Sequence, residues 1–174
     1  MLFRSTTTRV SVDGSGVQLG AASGSACVSL DGSKVAFTVE AASGLPDTAS
    51  HAQAYVRDLA SGTLSLVSAA ADGTAANAAA RIEAMSGNGR YVAFSTAADN
   101  IVSGDTNGQV DLFVKDLQTG SVVRASTFTD TSTGSPVLIQ GNGPSDRALL
   151  SDTGRYLVYT TGSVDVVRDV LGNP

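Results

Sequence analysis

Short hydrophobic and polar segments follow one another in a fixed order along most of this chain. In each copy a short apolar run leads into a polar turn containing glycine, and a second run rich in Val, Ala, Phe or Tyr follows. Three such segments align, at 29–37, 86–94 and 151–159, and their turn glycines are 57 and 65 residues apart. Two apolar runs on either side of a glycine-containing turn predict a β-hairpin.

A second hairpin is predicted after the first in each copy. The segment 55–59 matches 113–117 and, less closely, 166–170, and a further glycine turn leads to another apolar run. Each copy therefore contains four strands, which we name a to d in chain order. The pattern predicts them at about 25–30, 34–39, 54–57 and 63–68 in the first copy and near 80–85, 91–96, 111–115 and 121–126 in the second.

A repeated unit of four short strands is typical of the blade of a β-propeller. No segment competes as a helix, because Asp72 and Gly73 interrupt the alanine-rich stretch 69–80. The sequence thus predicts an all-β fold, a β-propeller built of four-stranded antiparallel blades, with residues 1–174 as a single unit.

The repeat also predicts which strand each terminal region contributes. Residues 6–12 match the d strand at 121–126, and the third copy reaches only its c strand. The predicted order is d-abcd-abcd-abc, with blades at about 25–68, 80–126 and 145–174. Propeller rings typically hold four to eight blades. Two copies of the chain, exchanging their first strands, would make a six-bladed homodimer; the alternative is that the partner is the missing blades of a longer propeller.

The first turn resembles the repeat of a known family. Its residues Ser29, Asp31, Gly32, Val35 and the Ala-Phe pair that follows are similar to the repeat of TolB-type bacterial propellers, which are related in architecture to WD-repeat proteins. The chain departs from that pattern in having no tryptophan and in replacing the turn aspartate in its second and third copies. The resemblance implies a periplasmic or extracellular binding protein with no chemistry common to the family. The first residues contain no apolar signal-peptide segment, so a cytoplasmic location stays open.

The net charge and the length of the apolar segments disfavour two kinds of partner, nucleic acid and the membrane interior. The net charge of −5 and the pI of about 4.6 disfavour a nucleic-acid partner. No apolar stretch reaches the ~20 residues that a membrane span needs. Cys27 is expected to be a small buried residue and His51 a surface residue. Arg57, Lys115 and Arg168 recur on the c strands, each followed by an aspartate, and are expected to form solvated pairs and turn hydrogen bonds at the c–d hairpins. The alternative is that these pairs line one face of the ring.

One loop has the composition of a metal site. Asp105, Asn107 and Asp111 surround Gly108 and supply alternating hard oxygens on a tight turn. Calcium prefers six to eight oxygen ligands at flexible distances, so these three residues are candidate calcium ligands and Ca²⁺ is the candidate cofactor. The alternative is a polar loop stabilised by Asx turns, which the same residues favour.

The leading functional hypothesis is a non-catalytic interaction or scaffold module. It would bind a protein or a glycan through its long loops, 39–54 and 96–110. One alternative is a structural subunit of an extracellular assembly joined by strand donation. The other is a propeller-type hydrolase or lyase with a site in the channel, for which the second a strand offers only Arg81 and Glu83.

Overall fold

Every regular element that the structure describes is a β-strand. The computed structural model describes residues 7–45, 47, 50–130 and 137–164. Their strands are β1 (Ser23–Val28), β2 (Lys34–Val39), β3 (Gln53–Asp58), β4 (Leu64–Leu66), β5 (Ala80–Met85), β6 (Tyr91–Thr96), β7 (Asp111–Asp116), β8 (Val122–Arg124), β9 (Thr127–Asp130), β10 (Val137–Gln140), β11 (Ser145–Leu150) and β12 (Leu157–Thr161).

The first two predicted blades are present as complete four-stranded sheets. Strands pair in the order β1-β2-β3-β4 in one sheet and β5-β6-β7-β8 in the other, and all pairings are antiparallel. The predicted b strands, 34–39 and 91–96, and the second a strand, 80–85, have the observed bounds, and each end of the other strands of these blades lies within two residues of its predicted position. A meander of four antiparallel strands is the architecture of a propeller blade.

The third blade is described over its first two strands. β11 and β12 pair antiparallel, and their register shifts between Asp146 and Leu149, as the register of β1 and β2 shifts between Gly24 and Cys27. The predicted c strand at 166–170 lies outside the described residues. The count of three blades and the closure of a ring therefore stay predictions.

A hairpin that the sequence analysis missed lies between the second and third blades. β9 and β10 pair antiparallel as a separate two-stranded sheet. They are inserted in the connection from a d strand to the next a strand, and this explains why the second repeat interval is longer than the first.

Residues 7–12 of the predicted N-terminal d strand form only an isolated bridge between Val12 and Gln18. The strand stays a prediction, because the c strand that it would pair with, at 166–170, lies outside the described residues. The alignment behind that prediction nevertheless has a structural counterpart. The turn that follows repeats the connection after β4, where Ala69 bridges Ala75 in the same manner. Several backbone hydrogen bonds are also shared: Leu19 N to Ser11 O corresponds to Ala76 N to Ser68 O, and Asp13 N to Val17 O corresponds to Ala70 N to Thr74 O.

Adjacent blades pack face to face. We call the face that contacts the following blade the forward face and the opposite one the backward face. The forward face of the first blade (Ala36, Ala54, Val56, Val67) packs on the backward face of the second (Ile82, Val92, Phe94, Phe113). Ala84, Ala93 and Leu112 on the forward face of the second blade contact Leu157 and Tyr159 of the third. Small forward residues against large backward ones let the sheets approach closely, and most of the core lies at these interfaces.

Two of the recurring c-strand cations, Arg57 and Lys115, are buried, contrary to the expectation of solvated pairs, and the third, Arg168, lies outside the described residues. Arg57 donates to the main-chain oxygens of Val10 and Val12, and Lys115 Nζ donates to Ala69 O at 2.9 Å. Both therefore satisfy carbonyls of the turn that precedes their own blade. Burial lowers the pKa of Lys115, the cost expected for an ammonium group removed from water.

We expect the first hairpin turn to lose stability in acid, because Asp31 accepts hydrogen bonds there as a carboxylate. Hydrogen bonds from the Ser33 amide and the Ser29 hydroxyl, at 2.9 and 2.7 Å, lower the pKa of Asp31 from 3.8 to about 2. A depressed carboxyl pKa contributes stability that is complete above 3.8 and is lost as the pH falls through about 2. We expect the unfolding free energy of Asp31→Asn to fall less steeply than that of the unmodified chain between pH 4 and 2, in urea titrations followed by circular dichroism.

The second blade shows that the asparagine variant keeps the turn. Asn88 occupies the equivalent position and accepts the same two hydrogen bonds, from Ser86 Oγ and Arg90 N. Parallel stability curves for the two proteins over this pH range would contradict the assigned role of Asp31.

Candidate functional site

The three predicted calcium ligands lie close together at the start of β7. Asn107 Nδ2 donates to Asp111 Oδ2 at 2.8 Å, and Ser126 Oγ donates to Asp111 Oδ1. Arg124, on β8, places its Nη1 3.0 Å from Asp105 Oδ1 and 3.8 Å from Asp111 Oδ2. The cluster is therefore two carboxylates and one amide around a guanidinium group.

Burial makes the charge of Arg124 important to this cluster. The side chains of Arg124, Asp105 and Asp111 are 10%, 5% and 0% exposed. Burial raises the pKa of Asp105, the Asp111 carboxylate raises it further, and the charge of Arg124 opposes both effects. Arg124 thus supplies the positive charge that two buried carboxylates require.

Asn107 joins the second blade to the connection that leads to the third blade. Its Nδ2 also donates to Gly141 O at 3.0 Å, and Gln140 Oε1 accepts from its backbone amide. In the first blade, Gln53 occupies the position of Asp111 and donates to Ala76 O at 2.8 Å, an equivalent carbonyl of the next connection. A carboxylate cannot donate this bond, so Asn107 provides the amide that the second blade lacks at Asp111.

The cluster fits a calcium ion poorly as it stands, because Asn107 and Ser126 donate to the two oxygens of Asp111 and the Arg124 guanidinium group lies 3.0 Å from Asp105 Oδ1. Among residues 7–45, 47, 50–130 and 137–164, no three His, Cys, Asp or Glu side chains are arranged to hold a metal ion. Calcium at Asp105, Asn107 and Asp111 stays a prediction, and the ion would have to compete with Arg124. The nearby loop 97–110 is also held by a hydrogen bond to the preceding connection, from Asn100 Nδ2 to Ala75 O at 2.8 Å.

A second candidate site is a cavity of about 790 Å³ at the edge formed by the a strands of all three blades. Alanines supply much of its apolar lining, including Ala52, Ala97 and the run 78–80. Its charged lining residues come mainly from β5 and β11: Glu40, Arg81, Glu83, Asp146 and Arg147. Arg81 and Glu83 are the charges of this edge that the sequence predicts, and the fold adds Glu40, Asp146 and Arg147 from the neighbouring blades.

Two strained backbone positions lie in this cavity. Ser25 has a φ of 46° and Arg147 a φ of 52°, and both occupy the bulge of an a strand. Residues other than glycine rarely adopt this left-handed conformation, and such strain is concentrated at functional sites. The bulges turn the a strands locally and place Ser25 and Arg147 in the cavity wall.

The charged side chains of the cavity differ in the hydrogen bonds and ion pairs that they make. Glu83 accepts from Ser95 Oγ at 2.6 Å and, through its other oxygen, from the Arg147 backbone amide at 3.0 Å. Arg81 Nε donates to Ser25 Oγ at 3.0 Å. Within the described part of the chain, the guanidinium groups of Arg81 and Arg147 make no ion pair. Glu83 is thus held in place, while two exposed arginines can receive an acidic group.

Comparison with known proteins adds only distant likenesses. No protein family and no curated protein matches the sequence. The chain is similar to the crystal structure of the tricorn protease, with 16% identity and a TM-score of 0.48 over 88% of this chain and 12% of that one. It is also similar to a putative TolB from Agrobacterium tumefaciens, with 14% identity and a TM-score of 0.40 over 84% of this chain and 61% of that one.

The chain spans less than two thirds of either of these proteins. The class of the protein, an assembly of propeller-type blades, therefore rests on the repeat within the chain. The part of the chain that the structure describes holds no helix with the length and apolar character needed to cross a membrane.

Proposed function

We propose that the chain is a non-catalytic β-propeller module that binds a peptide segment of a protein partner in the cavity along its a strands. The observation that carries this proposal is the convergence of Arg81, Arg147 and the strained Ser25 on one cavity. Arginine guanidinium groups bind carboxylates through paired hydrogen bonds, and Glu40 and Asp146 can receive basic groups. A periplasmic or extracellular location is part of the proposal and comes from the resemblance of the first turn to the TolB-type repeat.

The chemistry of the cavity favours a peptide over a glycan and binding over catalysis. Sugar rings commonly stack on aromatic side chains, and the described residues that line this cavity include none. Both carboxylate oxygens of Glu83 are used by internal donors, so Glu83 is a structural acceptor rather than a general acid or base. Alanine-lined walls with mixed charges at the edge suit an extended, polar peptide.

Selection from a displayed library of random 12-residue peptides tests the proposal. We expect peptides enriched on the unmodified chain to contain Asp or Glu, and the double variant Arg81→Ala/Arg147→Ala to bind them about tenfold or more weakly, since a charge-assisted hydrogen bond contributes about 1.5 kcal/mol or more. Fluorescence anisotropy with the synthetic peptides measures the change.

Arg155→Ala is the matched control, because Arg155 lies in the third blade, over the Tyr156 ring and outside the cavity lining. This control should keep full affinity. Equal losses in the control and the double variant, or the absence of any enriched peptide, would reject the cavity as the binding site. Binding of the chain to glycans on an array, without peptide enrichment, would instead assign a glycan as its ligand.

A further inference from the structure

Over β11 and β12, the part of the third blade that the structure describes, the forward face carries exposed apolar side chains, although the same face is buried in the other two blades. In β2 and β6 the forward face carries Ala36 and Ala93, both 0% exposed. Val158 holds the position of Ala36 and Ala93, and it is 68% exposed. Its partner Leu149, on β11, holds the position of Cys27 and Ala84 and is 72% exposed. Two large apolar side chains therefore face solvent where the other two blades carry small, buried or half-buried residues.

The backward face of the first blade is only partly covered. Phe37 and Tyr55 are buried beneath Val10, Leu19 and Leu45. Beside them remains a groove of about 490 Å³ whose apolar wall is formed by Leu45, Tyr55, Leu64 and Leu66. In the second blade this face is filled by the forward face of the blade before it. The chain thus presents an apolar forward face at one end of its stack and an apolar groove at the other.

The polar links between blades extend to the exposed face as well. Thr38, Ser95 and Thr160 hold equivalent positions, opposite residues 24, 81 and 146. Thr38 Oγ1 accepts directly from the Ile82 amide of the next blade, and Ser95 acts through Glu83 on the Arg147 amide. Thr160 Oγ1 instead donates to Oδ1 of the exposed residue Asp146. In the two preceding blades the equivalent link ends on the amide of an a strand in the next blade.

We infer that the forward face of the third blade binds the backward face of the first blade of a second copy of this chain. The occupant is a second copy because the chain itself carries both complementary faces, and the contact continues an interface that already joins its blades. Ser25 of the first blade has the same left-handed bulge conformation as Arg147, whose amide makes the corresponding link inside the chain. A head-to-tail contact of this kind closes when the rotation permits, and two copies would then place six blades in one ring.

Charged substitutions on the two faces test the inference in the purified 174-residue chain. Light scattering should give a dimer near twice 17.5 kDa, and the variant Leu149→Glu/Val158→Glu should be a monomer. Thr63→Trp should also be a monomer, because Thr63 is an exposed residue in the wall of the groove and a large ring there would fill it. Leu30→Glu is the control: Leu30 is 79% exposed in a hairpin turn away from both faces, and this variant should remain a dimer.

Mixing the two monomeric variants distinguishes head-to-tail contact from a symmetric one. Each variant keeps one functional face, so an equimolar mixture should form a dimer held by one interface, with a dissociation constant higher than that of the unmodified chain. Circular dichroism of each variant establishes that it is folded. A monomeric unmodified chain, dissociation of the Leu30→Glu control, or a mixture that stays monomeric would overturn the inference, and the first result would assign the faces to further blades of a longer protein.

Discussion

Replacing Arg124 with leucine is expected to destabilise the chain by about 3 kcal/mol or more at pH 7, because the change leaves two buried carboxylates without their cation. The loss should become smaller as the pH is lowered. Burial already raises the pKa of Asp105, and Arg124 opposes that shift. Removal of Arg124 raises the folded-state pKa further, so the penalty is present at neutral pH and is relieved as the pH falls through that raised value. Urea titrations at pH 7 and pH 5, followed by circular dichroism, measure both effects.

The first blade provides the matched control for this prediction. Leu66 and Gln53 occupy the positions of Arg124 and Asp111, as the pairing of each with its neighbouring strand and the shared serine contacts show. The triple variant Arg124→Leu/Asp111→Gln/Asp105→Asn should therefore regain most of the lost stability. A triple variant as unstable as Arg124→Leu would show that the packing of Arg124, rather than its charge, stabilises the loop.

The same variant bears on the calcium prediction. Loss of Arg124 frees Asp105, Asn107 and Asp111 for a cation, so millimolar calcium should raise the unfolding midpoint of Arg124→Leu more than that of the unmodified chain. A larger rise in the unmodified chain would instead support the original prediction that calcium binds beside Arg124.

The strands of the first two blades were predictable because two local signals coincide. The glycine of each hairpin turn needs a positive φ, as at Gly32 (70°) and Gly89 (66°), and the flanking residues alternate or are wholly apolar. The β9-β10 hairpin has a weaker local pattern, and its signal was the difference between the two repeat intervals. An inserted pair of strands lengthens one interval without changing the blade on either side.

The candidate sites were less predictable because they combine residues distant in the sequence. A search for calcium ligands examines oxygens within one loop, and Arg124 comes from the strand after the next turn. A comparison of the repeats contained the missing signal: Leu66 and Gln53 in one blade become Arg124 and Asp111 in the next. Asp146 and Arg147 lie near Arg81 because the a strands of neighbouring blades form one edge of the cavity. The spacing of residues within a single blade does not predict this proximity.

Truncation of Phe94, at the interface between the first two blades, is the second change with a large expected effect. Phe94 is fully buried and stacks on Phe113 with ring centroids 5.5 Å apart. It also packs against Ala36 and Val56 of the preceding blade, so Phe94→Ala leaves a cavity between two sheets rather than within one. We expect a loss of about 3–5 kcal/mol in unfolding free energy, measured by urea titration with circular dichroism because the chain has no tryptophan.

Tyr159 is the natural control for Phe94, because it holds the equivalent position in the third blade but is only half-buried. Tyr159→Ala removes less buried apolar area than Phe94→Ala, so it should lower the unfolding free energy by roughly half as much. If the second copy covers the third blade, the unfolding free energies of both variants should rise with protein concentration, since an oligomer dissociates on unfolding. Equal losses for the two variants in a monomeric chain would mean that the interface between the first two blades is not the principal core.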